Sequence, residues 1–161
     1  MRQAIINGRL LDPANTLEQV ADLYIADGQI VGQGTRPDGF VAEQTIDASD
    51  KIVIPGLIDL SARLREPGHE HKGNIASETS AAAAGGITTL CIPPDTDPII
   101  ETPAVAELIT RRASDAGFAR VLPVGALTAG LKGEQLAEMG LLTDHEKAVL
   151  ALRAKQSPAF G

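Results

Sequence analysis

Residues 51–68 read Lys-Ile-Val-Ile-Pro-Gly-Leu-Ile-Asp-Leu-Ser-Ala-Arg-Leu-Arg-Glu-Pro-Gly, and the rest of the chain is organised around them. The run is apolar from Ile52 to Leu60 except for Pro55-Gly56 and Asp59, which predicts a buried strand over residues 52–60. Ser61 and the arginines Arg63 and Arg65 follow directly. Because α/β folds place reacting groups at the carboxyl ends of their strands, we expect the functional residues there.

Residues 1–50 have the pattern of a small β-structure. Short apolar segments flank Asn7-Gly8 and Asp27-Gly28, which are dipeptides that favour the positive φ angles of tight hairpin turns. We therefore predict two hairpins and a small antiparallel unit in this part of the chain.

From residue 51 to residue 144 the pattern alternates between strand and helix. After the first strand, helices are predicted from about Asn74 to Ala84 and from Thr102, as a cap, to Gly117, with strands at Ile87–Ile92 and Val121–Leu127. A further short helix is predicted around Gly133–Met139. Three β-α units in succession are typical of a parallel sheet or barrel, but three units cannot close a barrel of eight.

Composition excludes several classes of protein. The net charge of −7 argues against a nucleic-acid-binding face, and no run of 18 apolar residues predicts a membrane span. The single cysteine, Cys91, lies in an apolar strand and suits a core position in a reducing compartment, so we expect a cytoplasmic location. Gly85-Gly86 is expected to end a helix, since no phosphate-loop pattern accompanies it.

The 51–68 stretch resembles the amidohydrolase superfamily and, within it, the dihydroorotases. That family has the pattern Pro-Gly-(apolar)-Ile-Asp-(apolar)-His-x-His-(apolar)-Arg-x-Pro-Gly, and this chain matches it at Pro55, Gly56, Ile58, Asp59, Leu64, Arg65, Pro67 and Gly68. The resemblance implies an α/β fold that forms part of a (β/α)8 barrel, residues 51–144, preceded by a β-sandwich segment, residues 1–50. It is expected to lapse after Asp144, so that residues 145–161 form a non-matching tail with a short helix over His145–Lys155.

The two histidines of the family pattern are replaced by Ser61 and Arg63. In the family these histidines hold a zinc ion that generates hydroxide to attack the cyclic amide of dihydroorotate. A neutral hydroxyl is a poor zinc ligand, and a guanidinium has no lone pair to donate and carries a fixed positive charge. We therefore expect no catalytic metal and no catalytic residue, with Ser61 and Arg63 as vestigial metal positions.

Two further positions correspond to substrate contacts in the family. Arg65 matches the arginine that pairs with the substrate carboxylate, although an arginine at a strand end also forms structural ion pairs, for example with Glu66 or Asp95. Asp95 stands where the family has an asparagine that contacts the same substrate carboxylate. The negative charge of Asp95 would repel that carboxylate. Both are candidate ligand contacts. The role of Asp59 stays open.

The loop sequence His69-Glu70-His71 is a rival metal site. Its histidines have no evident third ligand and no fixed geometry, so surface histidines are the preferred interpretation, as for His145.

The resemblance is nearest to the inactive pseudo-dihydroorotases, which in some bacteria partner the catalytic subunit of aspartate transcarbamoylase in pyrimidine biosynthesis. It implies a non-catalytic structural subunit, no cofactor and an oligomeric assembly. The alternatives left open are a zinc-dependent cyclic amidohydrolase with an altered metal centre and a truncated fragment of one.

Overall fold

The computed structural model describes residues 1–137 and 149–151 of the 161-residue chain. The chain divides into two compact units, Met1–Pro55 and Gly56–Gly161. Neither of the helices in the described ranges is long and apolar enough to cross a membrane.

The first unit consists of seven strands in two sheets. The strands are β1 (Arg2–Ile6), β2 (Arg9–Asp12), β3 (Leu17–Val20), β4 (Leu23–Ala26), β5 (Gln29–Gln33), β6 (Gln44–Asp47) and β7 (Ile52–Val53). The first sheet has the order β5-β4-β1-β6 and the second has the order β3-β2-β7. Ala4, Tyr24 and Phe40 form a small buried cluster in this unit, in which the two aromatic rings meet edge to face at 5.3 Å.

One of the two predicted hairpins is present and the other is wrong. Asp27 and Gly28 both have positive φ, 50° and 77°, and join the antiparallel strands β4 and β5 as predicted. Asn7 also has a positive φ of 64°, but β1 and β2 on either side of Asn7-Gly8 belong to different sheets. A turn dipeptide reverses or redirects the chain locally and does not choose the strand's partner, so the sequence could not distinguish a hairpin from a transfer between sheets.

The predicted single buried strand over 52–60 is also wrong. Ile52–Val53 pairs with β2 in the first unit, whereas Leu57–Asp59 forms a separate strand, β8, in the second unit. Pro55 lies between them and has no backbone N–H to continue a ladder. The strand is not buried either, because Ile58 and Leu60 are 63% and 76% exposed.

Over the residues that the structure describes, the second unit is a parallel sheet with two α-helices. Its elements after β8 are α1 (Ile75–Ala84), β9 (Ile87–Ile92), α2 (Pro103–Ala116), β10 (Arg120–Ala126) and β11 (Val149–Ala151), and the strand order is β11-β10-β9-β8. Two of the predicted helices, those over 74–84 and 102–117, and the two strands β9 and β10 are confirmed to within one or two residues. The core of this unit is aliphatic and includes the fully buried side chains of Ile100 and Ile109.

Residues at the start of each helix determine where α1 and α2 begin. Asn74 caps α1, because its side chain accepts a hydrogen bond from Ser77 N at 2.8 Å while the Ser77 hydroxyl receives one from Asn74 N. Thr102 occupies the cap position of α2 with extended backbone, but its side chain makes no capping hydrogen bond, contrary to the prediction. Pro103 still favours the first helical position, since no backbone N–H is needed there.

The region after β10 differs from the sequence-based expectation. No helix covers residues 133–137; instead Ala129–Leu131 forms a single 3-10 turn, and Thr128 pairs with Leu136 in an isolated bridge. Residues 149–151 form β11, parallel to β10, where a helix over 145–155 was predicted. The remainder of that predicted helix, together with Met139 and His145, lies outside the described residues.

Candidate functional site

Three of the four predicted site residues lie together at the carboxyl ends of β8 and β9. Arg63, Arg65 and Asp95 line one pocket, and His69 and Thr96 also contribute to it. Successive side chains over residues 63–65 alternate between the surface and the core. Leu64 points into the core and is 3% exposed, while Arg63 and Arg65 on either side of it are exposed. The path of the chain at this point therefore keeps Leu64 in the core and places both arginines in the pocket lining.

The Arg63 guanidinium is bonded to the Asp95 carboxylate. Arg63 Nη2 donates to Asp95 Oδ2 at 2.8 Å, and Nε donates to the same oxygen at 3.3 Å. The two residues come from the loops that follow neighbouring strands, 32 positions apart in sequence. The Asp95 charge, which was expected to repel a carboxylate, is thus paired with the charge of Arg63.

Arg65 adopts a conformation that is uncommon for a residue with a side chain. Its φ is +65°, and its carbonyl oxygen accepts a hydrogen bond from His69 N at 2.7 Å. The structural ion pairs considered for Arg65 are not the ones formed. Asp95 pairs with Arg63, Glu66 pairs with Arg112, and no ion pair of Arg65 occurs within residues 1–137.

Ser61 is not part of the pocket lining. Its backbone N–H donates to Asp59 Oδ1 at 2.9 Å, which gives Asp59 a turn-forming role at the end of β8. The adjacent Ala62 N–H donates to Cys91 O at 2.9 Å and keeps this segment beside β9. The structure therefore brings Arg63, Arg65 and Asp95 together in one pocket, whereas Ser61, two residues before Arg63, is not among the residues that line it.

The donor set at this site does not fit the zinc ion that the fold family implies. Zinc needs imidazole, thiolate or carboxylate ligands, usually three or four of them. Here one position is a hydroxyl and the other is a cation already bonded to the nearest carboxylate. Over the described ranges, no group of three histidine, cysteine, aspartate or glutamate side chains is arranged to hold a metal ion.

The His69-Glu70-His71 loop has structure of its own. The two imidazole rings lie 6.1 Å apart, edge to face, and Gly68 N donates to both carboxylate oxygens of Glu70 at 3.1 Å. The Gly68 N–H holds the pKa of the Glu70 carboxyl below its usual range. Glu70 is therefore occupied by the backbone of the loop. His69 was singled out from the sequence only as part of a rival metal site, and the structure places it in the pocket lining beside Arg63 and Asp95.

Sequence reasoning missed two long-range contacts that hold this region, one an ion pair and the other a hydrogen bond. Glu66 bonds to Arg112 of α2, and the loop after β9 is tied to the loop after β10 by a hydrogen bond from Gly130 N to Glu101 Oε2 at 2.6 Å. The partners are 46 and 29 positions apart, so no local spacing could have indicated either contact.

We predict that the Arg63–Asp95 pair contributes only modestly to stability. The side chains are 55% and 29% exposed, and pairs of that exposure are worth at most about 1 kcal/mol. A double-mutant cycle of Arg63→Met and Asp95→Asn, followed by urea denaturation, should give a coupling free energy in that range that shrinks in high salt. A much larger coupling that high salt does not reduce would contradict this prediction.

The profile of the Dihydro-orotase-like family matches residues 50–155. Among curated relatives, a dihydroorotase-like protein of Pseudomonas aeruginosa is 55% identical over 144 residues, which cover 89% of this chain and 34% of the relative. A dihydroorotase-like protein of Pseudomonas putida is 49% identical over 98% of this chain, and a dihydroorotase of Syntrophotalea carbinolica is 47% identical over 87% of it. The chain spans about a third of the length of these relatives.

These matches continue past Asp144. The family profile extends to residue 155, and the match to the Pseudomonas putida protein covers nearly the whole chain. The expectation that the resemblance lapses at Asp144 is therefore wrong.

Two solved hydantoinase structures share the fold of this chain. The L-hydantoinase (dihydropyrimidinase) of Arthrobacter aurescens aligns with a TM-score of 0.70 at 25% identity, covering 80% of this chain and 28% of the hydantoinase. A D-hydantoinase aligns with a TM-score of 0.59 at 24% identity over 88% of this chain and 36% of that protein. The chain belongs to the dihydroorotase-like family of the amidohydrolase superfamily.

Proposed function

We propose that this chain is part of a non-catalytic dihydroorotase-like protein of pyrimidine biosynthesis, which supports the assembly of aspartate transcarbamoylase. The observation that carries the loss of catalysis is the bond between Arg63 and Asp95. An arginine at a metal-ligand position both lacks a donor lone pair and repels a divalent cation, and here it also consumes the nearby carboxylate.

The second unit is, in this proposal, the opening part of a (β/α)8 barrel whose other strands belong to a longer chain. The TM-score of 0.70 with the Arthrobacter aurescens protein supports it, as does the share of that protein that the chain covers. The exposed apolar side chains of Leu57, Ile58 and Leu60 at the open edge of the sheet support it too, because a parallel sheet normally buries both faces of its strands.

In this proposal the pocket lined by Arg63, Arg65 and Asp95 still binds a ligand. The Arg63–Asp95 ion pair lines the pocket and has no net charge. The guanidinium of Arg65 is therefore the group that attracts a carboxylate. A bound carboxylate would stay unchanged, since the part of the chain that the structure describes has no group of side chains arranged to hold a metal ion that could generate hydroxide.

The partner is proposed from the family resemblance. Two relatives at 55% and 49% identity carry the name dihydroorotase-like protein, distinct from the dihydroorotases found at lower identity, which supports a role other than catalysis. The scaffold partner is the catalytic subunit of aspartate transcarbamoylase, and the assembly is an oligomer.

Co-purification tests the scaffold role. The tagged protein and the transcarbamoylase catalytic subunit from the same organism are co-expressed, and the complex is sized by light scattering. A stoichiometric complex is expected, and Arg63→Met should leave its size unchanged because the scaffold does not use the pocket. Elution of the two proteins as separate species would reject the scaffold role.

A zinc-dependent cyclic amidohydrolase is the second candidate. It is favoured by His69, which lies in the pocket with Arg63 and Asp95, and by the name of the Syntrophotalea carbinolica relative. Hydrolysis of dihydroorotate that is lost on His69→Ala, with zinc held by the protein, would establish it.

A further inference from the structure

Glu66 is a buried acidic side chain directly beside the candidate ligand site. It is 9% exposed, and its two carboxylate oxygens have different partners. Glu66 Oε2 accepts a hydrogen bond from Ile75 N at 2.7 Å, and Oε1 forms an ion pair with Arg112 Nη1. The proposed catalytic and ligand-binding roles above leave this group without a function.

These two bonds attach the loop after β8 to both helices of the unit. Ile75 is the first residue of α1, where the backbone N–H has no partner within the helix and the helix dipole favours a negative charge. Arg112 lies in the last turns of α2. A carboxylate held by a helix N-terminus and a guanidinium has little freedom to rotate, so the backbone at residue 66 is fixed as well.

Arg65 lies between two residues whose side chains are held inside the unit. Leu64 is buried in the apolar core, and Glu66 is anchored on the helices, so the backbone between them is constrained on both sides. Arg65 itself has a φ of +65°, a region that a residue with a Cβ keeps only where its surroundings over-determine it. The anchors on either side supply that constraint.

We propose that Glu66, with Arg112, is a positioning residue that holds Arg65 in its left-handed conformation and thereby aims its guanidinium at the pocket. The inference rests on the proposed function in one respect, namely that Arg65 contacts a carboxylate ligand. Glu66 touches no ligand in this account. It acts through the backbone of its neighbour.

The test replaces Glu66 with glutamine, which preserves shape and one acceptor but removes the charge. The variants are Glu66→Gln, Arg112→Met and Arg112→Lys, with Glu107→Gln on the exposed side of α2 as the matched control and Arg65→Met as the ligand-site reference. Binding of L-dihydroorotate, a cyclic monocarboxylate, is measured by calorimetry. Independently of any ligand, NMR couplings report whether φ at Arg65 is positive.

We expect Glu66→Gln and Arg112→Met to weaken binding by about tenfold, since a guanidinium that is no longer held in position must be ordered when the ligand binds. Arg112→Lys should restore part of the loss, Glu107→Gln should bind like the unaltered protein, and φ at Arg65 should leave the positive region in Glu66→Gln. Retention of a positive φ in a folded Glu66→Gln protein would overturn the positioning role. Absence of binding by the unaltered protein would instead reject the ligand site, while the NMR result still decides the role of Glu66.

Discussion

Gly68→Ala should destabilise the second unit by about 3 kcal/mol, a large share of the 5–15 kcal/mol that typically separates folded from unfolded domains. Gly68 has a φ of +103°, and a Cβ built there would lie 2.6 Å from Asp97 O and 2.5 Å from Asp97 Cβ. The obstructing atoms include backbone, which cannot swing aside as a flexible side chain can. Asp97 N also donates to Pro67 O at 3.2 Å, so relieving the clash would break the contact between the loops after β8 and β9.

Gly86→Ala is the matched control for this prediction. Gly86 has a φ of +84°, but a Cβ there would meet nothing within 4 Å. It should therefore cost only the conformational strain, about 1 kcal/mol. Urea denaturation followed by circular dichroism measures both. Equal losses for the two variants would show that the Gly68–Asp97 approach is not tight in solution.

The double variant Ser61→His/Arg63→His should bind zinc at least about a hundredfold more tightly than the unaltered protein. It replaces a hydroxyl and a cation by two imidazoles. It also frees the Asp95 carboxylate, which now bonds to Arg63, to act as an oxygen ligand. The measurement is a competition titration against a chromophoric chelator at neutral pH.

Two controls isolate the cause of the expected gain. Ser61→His alone retains the repelling guanidinium and should gain little, whereas adding Asp95→Asn to the double variant should lose part of the gain. If Ser61→His alone bound zinc as tightly as the double variant, Arg63 would not be what excludes the metal.

The elements that could be predicted from sequence are those whose signals are local. Helix α1 is bounded by the Asn74 cap and Gly85-Gly86, and α2 by Pro103 and Gly117, which has a φ of 71°. Each of these signals acts within one helical turn, so no knowledge of distant partners is needed.

The elements that could not be predicted depend on partners far away in sequence. The apolar run over 52–60 looks like one strand, yet its halves pair with β2 and with β9, and only the tertiary structure decides that division. The arrangement of the candidate site also depends on residues that are far apart in sequence. The resemblance predicts that Arg63 stands at a metal-ligand position and that Asp95 carries the wrong charge for a carboxylate, but it could not predict that the two side chains meet in one ion pair. Each substitution alone places an uncompensated charge in the pocket, and together they cancel.

Zinc analysis of the unaltered protein is the most direct test of this account. The untagged protein is purified from zinc-supplemented cells, dialysed, and analysed by mass spectrometry for metal, in parallel with the Ser61→His/Arg63→His variant. We expect trace zinc in the first and near-stoichiometric zinc in the second. One tightly held zinc per chain in the unaltered protein, seated beside Arg63 in a crystal structure, would contradict the claim that a guanidinium paired with Asp95 has replaced the metal.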